Sequence, residues 1–313
     1  MKILNKSQCK KFVNLAVDKL GKYIKKNNLK GITTGISGGI DSALVAIIGK
    51  KSIDRLNNHG YRSSFKYYYL DCQSEEEDLK KAKSLAEKFA FKLEILDLNR
   101  WYLNSPLLES IPKNHPKEKI AQGNIKALIR MISLYQTALL NNYIYLDSDD
   151  LSEKWMGFWT RHGDEGDVKI IQEVTKTEVY DLGEYLGAPE PILSADPGDG
   201  LNVTKESYAH DQLGLKYIYI EYIIGRFISE GFDYNGSFSQ LYTEKCQNLI
   251  KSISVEIKKP KSTIKKIINQ ALKTAYKRKY GDYAVNLLPD RKEFGFFEVG
   301  RQEYNQKYLK IIG

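Results

Sequence analysis

The sequence lacks the features that mark a membrane-bound or secreted protein. No apolar run approaches the length of a membrane span, and the N-terminal residues MKILNKSQCKKFV contain no run apolar enough for a signal peptide. Only three cysteines are present, Cys9, Cys72 and Cys246, and their odd number and wide separation indicate neither a disulfide framework nor a zinc site. We therefore expect a cytoplasmic protein that does not contact a membrane.

Neither an internal repeat nor a low-complexity linker divides the chain. Its 313 residues, 42% hydrophobic and 28% charged, are enough to bury a large core. The composition leaves two organisations open, which are one large α/β domain with an extension and two separate domains.

The positive charge is concentrated at the C-terminus. Residues 251–313 contain 15 Lys and Arg against 6 Asp and Glu, which accounts for the whole net charge of +9. A solvated basic helix face is the simplest explanation. A basic lid over a phosphate-rich ligand is a second one. A nucleic-acid surface is the weakest, because the aromatic residues there are not interleaved as stacking platforms require.

Apolar and β-branched segments alternate with helical patterns along the first half of the chain. Strands are predicted at about 31–36, 67–70, 93–96 and 143–146, and helices before and between them, with Ser74 capping the helix that follows the second strand. This alternation predicts an α/β fold with a doubly wound parallel sheet. Ligands of such sheets bind beyond the carboxyl ends of the strands.

The second half is predicted to be mainly helical. TKTEVYDLGEYLG predicts a helix that ends at Gly187, and SADPGDGLN predicts a loop. One apolar face predicts a further helix near the C-terminus, formed by Ile264, Ile267, Ile268, Ala271, Leu272 and Ala275. We divide the chain into a main domain, 1–240, and a basic helical C-terminal extension, 241–313.

The segment GITTGISGGIDSALVAII, 31–48, combines a strand, a glycine-rich turn and the start of a helix. The P-loop spacing G-x-x-x-x-G-K-[ST] is missing, and the turn contains no lysine. The backbone amides of Ser37, Gly38 and Gly39 can still converge on an anion at the positive end of the helix. Asp41 would repel a polyphosphate unless a cation lies between them, so the segment predicts a phosphate site with Mg²⁺.

The hexapeptide SGGIDS resembles the pyrophosphate-binding loop of the N-type ATP pyrophosphatases. Further segments resemble one branch of that superfamily, the ammonia-dependent NAD synthetases, in their order and approximate spacing. They are GNIKALIRM, LSEKWMGFWTRHGD, VTKTEVYDLGEYLGAPE, PGDGL and QLGLKY. The resemblance covers about residues 10–225 and implies the adenine nucleotide alpha hydrolase-like fold.

The resemblance implies a role for each matching position. It assigns catalysis to Asp41 and Lys176 and the metal to Asp41 and Glu153. ATP would be bound by Gly35, Ile36, Ser37, Gly38, Gly39, Ile40, Asp41, Ser42, Ser148 and Lys176. Deamido-NAD would be bound by Arg130, Arg161, Asp167, Tyr276 and Lys277. Three positions depart from the family pattern and all concern the second substrate, namely Leu128, Gly198 and Tyr276.

The implied reaction is the amidation of deamido-NAD. Its nicotinate carboxylate attacks the α-phosphorus of ATP, pyrophosphate leaves, and ammonia converts the acyl-adenylate to NAD and AMP. Free ammonia is the expected donor, because no segment is left for a glutaminase module; a separate glutaminase partner stays open. A homodimer is implied by the resemblance as well.

Other functions remain open at this point. The three departures motivate a related amide ligase acting on another carboxylate. The basic tail motivates a tRNA thiolase, which the missing cysteine pair disfavours, so we do not expect a nucleic-acid partner. A non-catalytic nucleotide-binding homologue is disfavoured because Asp41, Glu153 and Lys176 are all retained.

Overall fold

The structure, a computed structural model, describes residues 2–163, 165–198, 200–201, 209–279 and 284–313. Six strands are found in this part of the chain: β1 Gly31–Gly35, β2 Ser64–Asp71, β3 Leu93–Asp97, β4 Tyr143–Asp147, β5 Val168–Lys169 and β6 Val285–Asn286. They form one parallel sheet in the order β3-β2-β1-β4-β5-β6. The predicted doubly wound α/β fold is confirmed.

Helices connect the strands and make up most of the second half. They are α1 Lys6–Lys26, α2 Ile40–Asn58, α3 Glu76–Lys88, α4 Asn99–Leu103, α5 Pro106–Glu109, α6 Glu118–Asn141, α7 Leu151–Met156, α8 Lys176–Leu186, α9 Glu190–Leu193, α10 Ala209–Leu213, α11 Tyr217–Ser229, α12 Glu244–Glu256, α13 Lys261–Lys273, α14 Ala275–Lys279 and α15 Gln302–Ile312. A short 3₁₀ helix covers Phe238–Tyr242. None of the helices in the described ranges combines the length and the apolar character needed to cross a bilayer.

The strand order of the sheet has its switch point between the neighbouring strands β1 and β4. Gly31 of β1 is in register with Ser64 of β2 on one side and with Tyr143 of β4 on the other. Strands β2 and β3 lie on one side of β1, and strands β4, β5 and β6 lie on the other. A crevice therefore opens at the carboxyl ends of β1 and β4, which is the usual ligand position in such folds.

The core has two parts, one on each face of the sheet. On one face α1, α2 and α8 pack together over the central strands, and on the other α6 packs against β1 and β4. The long apolar run of α2 is buried almost completely because it lies between the sheet, α1 and α8. All three cysteines are buried free thiols.

The predicted strands and helices agree with the structure apart from a few positions. The four predicted strands and the helix ending at Gly187 are confirmed. The apolar face near the C-terminus is confirmed for α13, but Ala275, predicted to belong to it, lies in α14. The prediction that Ser74 caps α3 is wrong, because Glu75 is the N-cap and Ser74 lies outside the helix. The Pro- and Asn-rich stretch 104–116, for which no helix was predicted, contains the short helix α5. Part of the loop SADPGDGLN, residues 199 and 202, lies outside the described residues.

The C-terminal residues are integrated with the rest of the chain. Strand β6 pairs with β5, and α15 packs on α11. The rings of Phe294 and Phe296 lie 5.1 and 5.4 Å from the ring of Phe12 in α1. Strands β5 and β6 escape prediction because two residues are too few to show a period. The domain boundary at residue 240 stays a prediction.

Candidate active site

The glycine-rich turn joins β1 to α2 at the carboxyl edge of the sheet. Gly38 has φ of +88°, and a Cβ there would lie 2.5 Å from the carbonyl oxygen of Asp78. Only glycine fits, since both the backbone conformation and the close approach exclude a side chain. The turn can therefore lie directly against α3.

Two serine hydroxyls hold this turn in shape. The N–H of Ser37 donates to Ser42 Oγ at 3.1 Å, and the N–H of Gly39 donates to Ser37 Oγ at 3.2 Å. The two hydroxyls are 3.0 Å apart. These amides are thus satisfied by the loop itself, and an anion would replace the hydroxyls as their acceptor. Binding of phosphates by residues 35–42 stays a prediction.

Three side chains that were predicted to act together do meet. Lys176 Nζ lies 2.6 Å from Asp41 Oδ2 and 2.8 Å from Glu153 Oε1. Lys176 is the first residue of α8, Asp41 lies in the first turn of α2, and Glu153 lies in the first turn of α7. Three helix starts from distant parts of the chain therefore converge at one point beyond the sheet.

Asp150 completes this group and was not assigned a role from the sequence. Its side chain is fully buried and its Oδ2 lies 3.1 Å from Lys176 Nζ. Its Oδ1 accepts the N–H of Glu153 at 2.8 Å, while Glu153 Oε2 accepts the N–H of Asp150 at 3.3 Å. This reciprocal pair is a capping box at the start of α7, and it fixes the direction of the Glu153 carboxylate.

Burial and mutual charge shift the pKa values in this group. Burial raises the pKa of Asp150 well above its ordinary range and that of Glu153 to about 7, in both cases against the opposing effect of Lys176. Burial acts to lower the pKa of Lys176, but the carboxylates Asp150, Asp41 and Glu153 together hold it well above the usual value. The lysine therefore remains an ammonium ion at the point where these carboxylates meet.

Tyr217 borders the same point. Lys176 Nζ lies 5.4 Å from the centre of the Tyr217 ring. The side chain is 6% exposed, and its hydroxyl has no hydrogen-bond partner in the described part of the chain. A buried hydroxyl without a partner costs free energy and is expected to gain one when a ligand enters.

The carboxylates of this group suit a magnesium ion that would also be bound by phosphate oxygens. Asp41 Oδ1 is buried and has no hydrogen-bond partner among the described residues, so it is available to a cation. Those residues contain no group of three acidic, histidine or cysteine side chains that would hold a metal by themselves. Phosphate oxygens or water would have to complete the shell, which is how Mg²⁺ is usually bound.

The residues predicted to bind the second substrate are spread more widely. Arg130 donates to the carbonyl oxygen of Gly200 and to Ser74 Oγ, both at 3.0 Å. Asp167 Oδ2 accepts the N–H of Tyr145 at 2.9 Å and so supports β4. Arg161 is exposed, and Ser148, predicted on the ATP side, is half-buried just after β4.

The C-terminal pair predicted to bind deamido-NAD lies beside α7. Lys277 Nζ donates to the carbonyl oxygens of Gly157, at 2.7 Å, and Trp159, whereas Tyr276 is 53% exposed. The next residue, Arg278, donates to the carbonyl oxygens of Lys154 and Trp155 at 3.0 and 2.9 Å. Burial lowers the pKa of Arg278 to about 10. Part of the basic tail therefore holds the end of α7 instead of forming a solvated face.

Sequence reasoning missed Asp150, Tyr217 and Glu221, a buried glutamate described below. The pattern D-x-x-E at 150–153 is a capping-box signal that would have identified Asp150. Tyr217 ends the segment QLGLKY, which was noted only as a family pattern. Nothing in the local sequence marks Glu221, since its partners lie 44 and 69 residues away.

Known proteins resemble this chain over most of its length. A relative from Syntrophomonas wolfei named NH(3)-dependent NAD(+) synthetase is 36% identical over 192 residues, 60% of this chain and 74% of that protein. The NMN synthetase of Francisella tularensis has a similar fold, with a TM-score of 0.64 at 22% identity over 88% of this chain and 97% of that one. The NH3-dependent NAD synthetase of Campylobacter jejuni gives 0.63 at 21% identity over 88% and 98%.

A family model described as NAD synthase matches residues 12–281. That range contains the glycine-rich turn, both acidic helix starts and the lysine that joins them. With the sequence relatives and the shared fold, the match leads to one conclusion: the chain belongs to the NAD synthase family of carbon–nitrogen ligases.

Proposed function

We propose that the protein amidates deamido-NAD to NAD, using ATP and ammonia and releasing AMP and pyrophosphate. The observation that carries this proposal is the meeting of Asp41, Glu153 and Lys176 beside the glycine-rich turn. A phosphate chain held by the turn would bring its negative charge to this point. Family membership supports the identity of the two substrates and of the nitrogen donor.

The reaction would run in two displacements. A carboxylate oxygen of the nicotinate attacks the α-phosphorus of ATP, and the bond to the bridging oxygen breaks as pyrophosphate leaves. The nitrogen of ammonia then attacks the acyl carbon, AMP departs with the electrons of the broken C–O bond, and the excess proton passes to solvent. The protein supplies no nucleophile, so its contribution is positioning and charge stabilisation.

Lys176 and the loop would stabilise the charge that develops on the leaving pyrophosphate. Residues 37–39 directly precede α2, whose dipole favours an anion at its amino end. Lys176 is held as an ammonium ion and can turn from the carboxylates to the phosphates. Asp41 and Glu153 would hold Mg²⁺, which supplies further neutralisation of phosphate charge.

The cysteines support free ammonia as the nitrogen donor. A glutaminase commonly needs a reactive thiolate, but Cys9, Cys72 and Cys246 are all buried. Burial raises the pKa of the Cys9 thiol to about 11 and raises that of the other two as well. Such thiols are poor nucleophiles. We expect this chemistry to take place in the cytoplasm.

A related ligase that acts on another carboxylate is the alternative. It is favoured by the departures at Leu128, Gly198 and Tyr276, which all fall on the side predicted to hold the second substrate. Tyr276 is exposed, and Gly198 has no side chain to offer a ligand. Both proposals share the first step, and they differ in the carboxylate that receives AMP.

One assay separates the two proposals. Purified protein is incubated with ATP, Mg²⁺ and ammonium, together with deamido-NAD or, in parallel, nicotinic acid mononucleotide, and products are separated by chromatography. We expect equal amounts of AMP and NAD with deamido-NAD, and little product when glutamine replaces ammonium. AMP formation only with the mononucleotide would favour the alternative. ATP binding without AMP from either substrate would indicate a non-catalytic homologue.

We also propose a homodimer, formed through the exposed apolar side chains of β3, α4, α5 and α6. Large apolar side chains are exposed there, and Leu139 and Leu140 at the end of α6 are 77% and 73% exposed. Others on the same elements are Ile95, Leu96, Trp101, Leu103, Leu107, Ile120 and Ile132. An apolar surface of this kind is typical of a protein contact. Light scattering should give twice the chain mass, and Leu139→Glu with Leu140→Glu should give the monomer mass.

A further inference from the structure

Glu221 of α11 is a completely buried carboxylate that joins two of the helices of the candidate site. Its Oε1 accepts the hydroxyl proton of Ser152 at 2.7 Å and the backbone N–H of Thr177 at 3.1 Å. Its Oε2 accepts the hydroxyl proton of Thr177. The residue is 0% exposed. Both of its partners are therefore held through one side chain.

The two partners lie next to the charged groups of the site. Ser152 stands between Asp150 and Glu153 in α7, and Thr177 directly follows Lys176 in α8. Ser152 Oγ also accepts the backbone N–H of Lys176 at 3.0 Å. Glu221 and Ser152 thus form a short chain of hydrogen bonds that links the start of α7 to the start of α8.

Glu221 is stabilised there by donors and helix ends. Among the described residues, the Glu221 carboxylate has no ion-pair partner. Its three hydrogen bonds are all donated by Ser152 and Thr177, in the first turns of α7 and α8. The amino ends of helices favour a negative charge. A buried acceptor of this kind is costly unless every bond is made, so the carboxylate tolerates only a narrow range of separations between the two helices.

We propose that Glu221 is a positioning residue, which fixes the separation of α7 and α8 so that Glu153 and Lys176 meet at Asp41. It does not touch the substrate; it acts through Ser152 and Thr177. This inference rests on the proposed function only for the identity of the ligand, ATP with Mg²⁺. The geometry that it explains is the 2.8 Å contact between Lys176 and Glu153.

The test is a double-mutant cycle on ligand affinity. Glu221→Gln preserves the shape of the side chain but turns one acceptor into a donor that faces a hydroxyl. Binding of Mg²⁺ with a non-hydrolysable α,β-methylene analogue of ATP is measured by calorimetry in the wild-type and Lys176→Met backgrounds. We expect Glu221→Gln to weaken binding about tenfold in the wild-type background and less than about threefold in the Lys176→Met background. The loss is smaller there because the Lys176 ammonium, which Glu221→Gln would misplace, is already absent.

Two further variants make the result decisive. Glu256→Gln is the matched control, because Glu256 accepts hydrogen bonds from Tyr222 and Arg226 of α11, the helix that carries Glu221, and among the described residues it accepts none from α7 or α8. It should leave the affinity within about twofold. Ser152→Ala removes a single link and should give a smaller loss with the same dependence on Lys176, which keeps the test available if Glu221→Gln does not fold.

The proposal is overturned by an equal loss of affinity in both backgrounds, or by an equal loss in Glu256→Gln. Each result would show that Glu221 stabilises the protein generally and does not position Lys176. These measurements need no turnover. If the wild-type protein forms no NAD, the proposed function fails while the affinity cycle still decides the role of Glu221.

Discussion

Asp41 and Glu153 are largely buried and each pairs with the buried Lys176, whereas Arg161 and Tyr276, predicted to hold the second substrate, are exposed. We call the first group, with Asp150 and the turn at 35–42, the phosphate end, and Arg130, Arg161, Asp167, Tyr276 and Lys277 the dinucleotide end. Buried charges need partners even without a ligand, so the geometry of the phosphate end is set by the fold. Exposed side chains such as Arg161 and Tyr276 are solvated and can be arranged by the ligand. In the proposed reaction, the groups for the first step are therefore fixed more firmly by the fold than the exposed groups predicted to bind the acceptor.

Removing charge from the phosphate end should have the largest effect on activity. We expect Asp41→Asn to lower pyrophosphate release by about 10³-fold, because the neutral side chain can no longer pair with a cation beside the phosphates. Release is followed in a coupled pyrophosphate assay. Asp54→Asn is the control, since Asp54 lies on the same helix in an exposed pair with Lys50. Equal activities of the two variants would contradict the assigned role of Asp41.

Replacing Lys176 should reduce stability as well as activity. Lys176→Met leaves three carboxylates in a buried site without their cation, which we expect to cost roughly 3–5 kcal/mol of unfolding free energy at neutral pH. The exposed control Lys245→Met should change it by less than about 1 kcal/mol. Urea unfolding measures both variants.

The loss in Lys176→Met should also depend on pH. Without the ammonium the pKa values of Asp150 and Glu153, already raised by burial, would rise further above their unfolded values. A raised carboxyl pKa stabilises the fold at low pH, and that contribution is lost as pH rises through the folded pKa. The deficit should therefore grow between about pH 5 and pH 8. A deficit that is constant across this range would argue against a shared carboxylate cluster.

Substitutions at the dinucleotide end should change substrate affinity more than the rate of chemistry. Arg130→Ala is expected to raise the KM for deamido-NAD about tenfold and to leave the KM for ATP within about twofold. Arg161→Ala should raise the KM for deamido-NAD only about threefold, because the side chain is exposed, and Arg161→Lys should restore it. Steady-state kinetics with each substrate varied in turn tests this. A rise in the KM for ATP alone would move Arg130 to the phosphate end.

The smallest effect is expected at the edge of the phosphate end. Tyr217→Phe removes a buried hydroxyl that has no hydrogen-bond partner among the described residues, so the unliganded protein should be as stable as the wild type or more stable by up to about 1 kcal/mol. Affinity for ATP should fall a few-fold if the hydroxyl bonds the ligand. Thermal unfolding with and without ATP gives both quantities. Unchanged stabilisation by ATP would exclude Tyr217 from the site.

Much of the phosphate end could be predicted from the sequence because its signals are local. The strand, the turn SGGIDS and the helix that follows occupy consecutive residues, and Asp41 belongs to the same segment. Glu153 was assigned from the family resemblance, through the segment LSEKWMGFWTRHGD. Asp150 was overlooked as a partner although its capping box is also local.

The dinucleotide end was harder because its signals are scattered. Tyr276 and Lys277 were aligned with a family pair, yet Lys277 bonds carbonyl oxygens at the end of α7 in this structure. A lysine gives the same sequence signal whether it binds a ligand or a helix end. The binding of deamido-NAD by these residues stays a prediction.

The sequence by itself determined the alternation of strands and helices, the glycine turn and the position of Asp41 beside that turn, since these depend on neighbours within a few positions. Only the tertiary structure decided that Lys176 contacts Asp41, 135 residues away, that β6 forms one edge of the sheet, and that Glu221 joins α7 to α8. Such contacts arise from the packing of helices on a sheet. Local periodicity indicates which face of a helix is buried, but not which distant group that face will meet.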